Sequence, residues 1–228
     1  MLSGLGSFER GAEIHFTEVA RRLAQRLDIV VFGGGDNFKI DDVKYIKIPI
    51  IKRKYFKWFP KIKRLHLVHY YDWELAIFAI MLIPMLLKHK FDVLSTHSFP
   101  FELLPLKICK MLKKNIKTVY TCGGGTAFTH SRFFKVDKVI AQNPEYYELF
   151  SKKFSTAFIP CGVDVDIFKP QKVSRKEFNL PENKFIIFSS SAFDPIKRLD
   201  FLIKAASKIK DAYLVFSSTG VQKNILKN

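Results

Sequence analysis

Short apolar runs ending at glycine or a polar turn recur along this chain, and between them lie stretches with apolar residues three and four apart. A chain so patterned has few solutions, because short buried strands alternating with amphipathic helices build a mostly parallel sheet covered on both faces. Ile14, Phe16, Val19, Ala20, Leu23, Ala24 and Leu27 predict a helix over residues 10–27. Ile29-Val-Val-Phe32 follows as a strand, and Gly33-Gly-Gly35 breaks it. The same logic predicts strands over 45–48, 91–97, 118–121, 136–141, 157–160 and 213–216, and helices over 73–88, 101–112 and 145–153.

Ala157-Phe-Ile-Pro160 runs into Cys161-Gly-Val-Asp-Val-Asp-Ile-Phe-Lys-Pro170, a Gly-Val-Asp turn with a proline stop. A further apolar strand, the loop Ser189-Ser-Ser-Ala-Phe-Asp-Pro-Ile-Lys197 and an amphipathic helix come next. The chain therefore divides into a domain over residues 1–169 and a second, incomplete one over 170–228.

The 228 residues are 48% hydrophobic, enough for a buried core, and carry a net charge of +17 with 38 Lys and Arg against 21 Asp and Glu. Such a balance attracts anions, whether lipid headgroups, nucleic acid or sugar nucleotides. Cys109, Cys122 and Cys161 form no Cys-x-x-Cys pair and no histidine stands at metal-ligand spacing, which argues against a disulfide framework or zinc. A reducing cytoplasm fits that usage. The most apolar run, Leu75 to Leu87, is 13 residues long and contains Pro84, short of the roughly 20 a bilayer span requires. A core helix is expected there, and residues 1–7 lack the basic and apolar regions of a secretory signal.

In order and spacing these motifs resemble the retaining family-4 glycosyltransferases of the GT-B fold. Gly11-Ala-Glu13 opens the first helix, Phe91-Asp-Val-Leu-Ser-Thr-His97 and Val136-Asp-Lys-Val-Ile-Ala141 are similar to two of the family's strands, and the crossing at 158–170 is similar to its Ile-Pro-Asn-Gly-Val-Asp turn, with Cys161 in place of the asparagine. The resemblance implies an α/β Rossmann-like acceptor half and an incomplete donor half. It implies transfer of a hexose from a nucleotide diphosphate sugar to an acceptor hydroxyl with retention, with no cofactor beyond the donor and no metal. Lys197, with Arg198 beside it, stands at the family's phosphate-binding lysine, where a cation at a helix start stabilises a departing diphosphate; a solvated basic helix start is the plain alternative. Three departures follow. About ten glycine-rich residues precede Gly11, so the innermost strand is expected to be missing. The arginine expected five residues before Lys197 is Ala192, and no glutamate follows Glu182, so the family's Glu-x7-Glu pair is absent. Truncation at both ends and impaired activity of this chain alone are the expectation.

On the acceptor side, Gly11, His97, Gly123 and Gly124 are the cleft candidates, because parallel sheets bind ligands at strand C-terminal ends. Each has a structural alternative: a flexible terminus at Gly11, a backbone-bonded histidine at His97, a plain turn at Gly123 and Gly124. Gly4-Leu-Gly6 is followed by Glu9 where G-x-G-x-x-G needs its last glycine, so nicotinamide binding is poorly supported. No G-x-S-x-G elbow positions Ser95, His97 and Asp92 as a hydrolase. Asp164 and Asp166 read as turn residues before metal ligands.

Between Asp42 and Asp72 no acid occurs, and Lys44, Lys47, Lys52, Arg53, Lys54, Lys57, Lys61, Lys63 and Arg64 interleave with Tyr55, Phe56, Trp58 and Phe59. Lys52, Arg53, Lys54, Lys57 and Trp58 are membrane-contact candidates, since each cation near anionic lipid contributes about 1 kcal/mol and aromatic rings seat at headgroup level. By resemblance, family members with lipid-linked acceptors dock this half on a membrane. The partners expected are a nucleotide-sugar donor, a sugar or lipid-linked acceptor, and an anionic membrane surface at the cytoplasmic face. A catalytically silent membrane-binding or partner-binding remnant is the alternative, with a nucleic-acid-binding module the less favoured one.

Overall fold

In the computed structural model the described residues are 2–3, 11–34, 42–51, 53–65, 67–68, 70–97, 101–113, 115–123, 135–191, 193 and 197–217. They form two compact units, Met1–Val163 and Asp164–Asn228. The break falls inside the predicted crossing, a few residues before the 169/170 boundary expected from sequence.

The first unit is built on a seven-stranded parallel sheet. Its strands are β1 (Leu2–Ser3), β2 (Val30–Gly33), β3 (Lys44–Lys47), β4 (Val93–Thr96), β5 (Lys117–Cys122), β6 (Lys138–Ala141) and β7 (Thr156–Phe158), in spatial order β3-β2-β1-β4-β5-β6-β7. The helices are α1 (Gly11–Ala24), α2 (Tyr70–Lys88), α3 (Leu103–Leu112) and α4 (Pro144–Ser151). One sequence expectation is corrected here: the innermost strand is present. Leu2 pairs with Phe32 and Thr96, and Ser3 with Gly33, so β1 lies between β2 and β4. Two residues carry no alternation, and the glycines beside them mask the strand in the sequence.

Both faces of the sheet are covered, and β2 shows how. Successive side chains point to opposite faces, so Val31 packs with Phe16 and Ala20 of α1 while Phe32 packs with Phe78, Leu82 and Leu86 of α2. Leu75, Phe78, Ala79, Leu82 and Leu86 fall on one stripe of α2 and are all buried. Burial of each large side chain on that stripe contributes about 1.5–3 kcal/mol. Pro84 lies within α2 without ending it. Among the described residues no helix is long and apolar enough to cross a membrane.

Asp137, from the Asp-x-Val strand motif, is a fastener. Its carboxylate accepts from the Thr118 backbone N–H and hydroxyl, both at 2.8 Å, and pairs with Lys110 of α3. Burial would raise its pKa, but the hydrogen bonds from Lys110 and Thr118 outweigh that and hold the carboxyl at about 2.

In the second unit β8 (Phe185–Ser189) pairs in parallel with β9 (Ala212–Phe216), and α5 (Leu199–Ala206) connects them. Asp164 Oδ1 accepts from the backbone of Asp166 at 3.0 Å and of Ile167 at 3.3 Å, the turn role expected from sequence. A capping box at Ser174 and Glu177 starts the short 3-10 helix Arg175–Phe178.

Candidate functional site

In a doubly wound sheet the crevice opens where consecutive strands leave in opposite directions. Here β1 leads outward to β2 on one side, and the chain returns from β3 to β4 on the other. The C-terminal ends of β1 and β4 therefore bound the switch point. Four side chains from four elements meet there. His15 comes from the second turn of α1, His97 directly follows β4, Gln142 directly follows β6, and Cys161 lies beyond β7.

The His15 and His97 rings stand 5.2 Å apart at 58°. Gln142 Nε2 lies 2.7 Å from His15 Nε2. With the amide nitrogen donating, that imidazole nitrogen is the acceptor, which leaves the proton on Nδ1. His15 Nδ1 in turn lies 3.8 Å from the Cys161 sulfur. Burial lowers the pKa of His15. Burial first, and then the charge on His15, lower that of His97, against the opposing effect of hydrogen bonds to backbone and Gln142. Both shifts favour the neutral imidazole, which offers one donor and one acceptor nitrogen. The group is suited to hydroxyls and carries no charge of its own.

Gly123 makes room for this arrangement. A Cβ there would lie 2.2 Å from Gln142 Oε1 and 3.3 Å from the His97 ring. No carbon fits at that distance. Among the described residues, no group of three or more His, Cys, Asp or Glu is placed to hold a metal ion. Below the crevice, a cavity of about 780 Å³ runs between α1 and the sheet, lined by Val19, Leu23, Val30, Val93 and Ser95 among others.

Of the acceptor-side candidates, the structure brings His97 and Gly123 together. Gly11 opens α1, and Gly124 lies outside the described residues. Sequence reasoning missed His15 and Gln142. A lone polar residue within a helical stripe, or just past a strand, has no periodic signal, but being the first residue beyond a strand's C-terminal end was a usable clue for Gln142.

In the second unit Lys197 is exposed directly ahead of α5. Arg198 takes a left-handed conformation, φ 50°, at the N-cap, with no side-chain hydrogen bond closing the helix start. Its guanidinium covers the Phe201 ring at 4.1 Å and lies 3.6 Å from Asp200. Arg198 is thus engaged locally, and among the described residues Lys197 is an exposed cation two positions ahead of the first helical residue, Leu199. Ala192 lies outside the described residues.

The basic segment is pinned through aromatics. Phe56 is buried, Phe59 stacks edge-on with it at 5.0 Å and with Trp73 at 5.2 Å. Trp58 is 94% exposed, beside exposed Lys54 and Lys57. Arg53 begins a 3-10 helix, Arg53–Phe56, and Lys52 lies outside the described residues.

Comparison with known proteins bears on the family and the fold. Residues 10–167 match the family model described as Glycosyltransferase Family 4. Among solved structures the chain is similar to sucrose-phosphate synthase from Thermosynechococcus elongatus, with TM-score 0.67 and 17% identity, covering 94% of this chain and 60% of that one. No curated protein matches the chain.

Proposed function

Because this chain belongs to glycosyltransferase family 4 and has its α/β GT-B architecture, we propose that its first unit binds the acceptor and its second the donor in transfer of a hexose from a nucleotide diphosphate sugar, with retention. The observation that carries the acceptor assignment is the neutral pair of His15 and His97, joined by Gln142 at the switch-point crevice. Neutral imidazoles exchange hydrogen bonds with sugar hydroxyls in either direction, and one acceptor nitrogen orients the hydroxyl that attacks. Lys197 at the uncapped start of α5 meets the diphosphate, whose charge grows as it leaves. In this reading the donor itself is the only small molecule required.

Titration calorimetry with nucleoside diphosphates and a panel of acceptor sugars tests this reading. Lys197→Ala weakens diphosphate binding about tenfold, and Ala192→Arg, which restores a second cation, strengthens it by a similar factor. His97→Ala removes acceptor binding and leaves diphosphate binding unchanged. Absence of any nucleotide isotherm at millimolar concentration, in the parent chain and in Ala192→Arg alike, overturns the proposal.

A second reading concerns where the reaction takes place. The outward Trp58, flanked by Lys54 and Lys57, favours docking of the first unit on an anionic membrane at the cytoplasmic face, with a lipid-linked acceptor. Flotation with phosphatidylglycerol vesicles, lost on neutralising Lys52, Arg53, Lys54 and Lys57 together, supports it. A salt-sensitive shift of single-stranded DNA with no flotation replaces it by the nucleic-acid reading.

A further inference from the structure

Glu102 is a fully buried acid, 0% exposed, at the N-cap of α3. Burying an acid is costly, so what its oxygens hold matters. Its Oε2 accepts from the hydroxyl of Thr96, the last residue of β4 and itself 1% exposed. The start of α3 suits such an acceptor, because a helix N-terminus favours negative charge. Tyr120 of β5 stands directly across from Thr96. Burial first, then Cys122, Tyr146 and Glu102, raise the pKa of Tyr120, which sets Glu102 beneath the ends of both strands.

The bond fixes the point at which the chain leaves the sheet. Thr96 is paired on both sides, with Leu2 of β1 and with Tyr120 of β5. Leu94 and Tyr120 lie in the core formed with α2 and α3, and the strand period of two puts Thr96 on the same face as Leu94. The next residue turns to the opposite face, where Phe16 and Ala20 of α1 pack on Val31, and there His97 meets His15. One peptide unit therefore separates a hydroxyl held on the α3 face from a ring presented on the α1 face. Rotation of the backbone at Thr96 would swing both, so holding the hydroxyl holds the ring.

We propose that Glu102 is a positioning residue of the crevice: through the Thr96 hydroxyl it fixes the end of β4 and aims His97 at His15 and Gln142. Its consequence for acceptor binding rests on the transferase reading above, whereas the placement of His97 does not. Placement matters to such a site because displacing a reacting group by about 1 Å costs on the order of 100-fold in rate.

Four variants of the full chain test it, read by proton NMR with neither donor nor acceptor present, so the result stands whatever binds the crevice. Thr96→Val keeps the side-chain shape and removes the hydroxyl. It abolishes the nuclear Overhauser effect between the His15 and His97 rings and moves the His97 titration up toward 6.5, because burial, the largest influence lowering it, is relieved. Thr96→Ser keeps the hydroxyl and Glu102→Gln keeps an oxygen acceptor, and both preserve the native ring contact. Leu106→Val loosens the packing of the same helix and lowers Tm by about 3 °C, yet leaves both ring readings in place. Native readings in Thr96→Val overturn the proposal. So does Thr96→Ser behaving as Thr96→Val, or Leu106→Val moving the rings as far as Thr96→Val does, since a brace that merely supports the fold gives that result.

Discussion

A single methyl group on Gly123 would displace the amide that links the two imidazoles, because it would lie 2.2 Å from Gln142 Oε1. The displaced atom ends a flexible side chain, so Gly123→Ala leaves the fold standing and moves Gln142 out of the crevice. The Gln142 hydrogen bond is one of the influences that raise the His97 pKa. Its loss therefore moves the His97 titration to lower pH, read from the imidazole proton resonances, and acceptor binding falls with it. An unchanged titration would place Gln142 outside the crevice. Asp137 yields a stability prediction of the opposite chemical type. Its pKa lies at about 2, below the ordinary 3.8, so its contribution is present above about pH 3.8 and is lost as pH falls through about 2. Lys110 and Asp137 are partly exposed, at 37% and 27%, which discounts that contribution to about 1 kcal/mol. Urea denaturation should show Asp137→Asn less stable by that amount at pH 6, and the gap closing toward pH 2.

Among the elements, α4 shows how local chemistry holds the crevice. Asn143 Oδ1 accepts from the Tyr146 N–H at 2.8 Å and Pro144 takes the first helical position, a start built from two independent preferences. Gln142 is the residue immediately before that cap. Asn143→Ala should cost about 1 kcal/mol in urea unfolding, and it should also weaken acceptor binding, because the turn that presents Gln142 loosens. What was legible in the sequence follows from the same physics. A buried parallel strand is a nearly continuous apolar run, which makes β2 legible, while β3, β5 and β9 are legible within a residue or two from short β-branched and aromatic runs. β1 was missed because two residues beside glycines carry no period. His97 was found as the residue closing a recognisable strand, whereas His15 belongs to the site only because α1 crosses the end of β4, a tertiary fact without a local signature. Asp137 was read as part of a family motif, and its bonding to Thr118 and Lys110 shows that the motif fixes the strand in place.

For the molecule as a whole, the charge of +17 sets how it meets other surfaces. Attraction between exposed cations and an anionic bilayer is screened within about 10 Å at 0.1 M salt and about 3 Å at 1 M. Vesicle affinity should therefore fall at least tenfold between 0.05 and 0.5 M salt, while Trp58→Ala lowers it at every salt concentration, because ring insertion is not screened. Co-sedimentation over that range separates the two contributions. The hollow beneath α1 has a practical corollary. His15 rides on a helix that bridges this void, whereas His97 is rooted in the sheet, so a molecule gripping both rings acts as a clamp across the span. Occupancy then appears as heat resistance that climbs with the logarithm of ligand concentration, and a thermal-shift screen of simple saccharides can identify the acceptor before any donor is known.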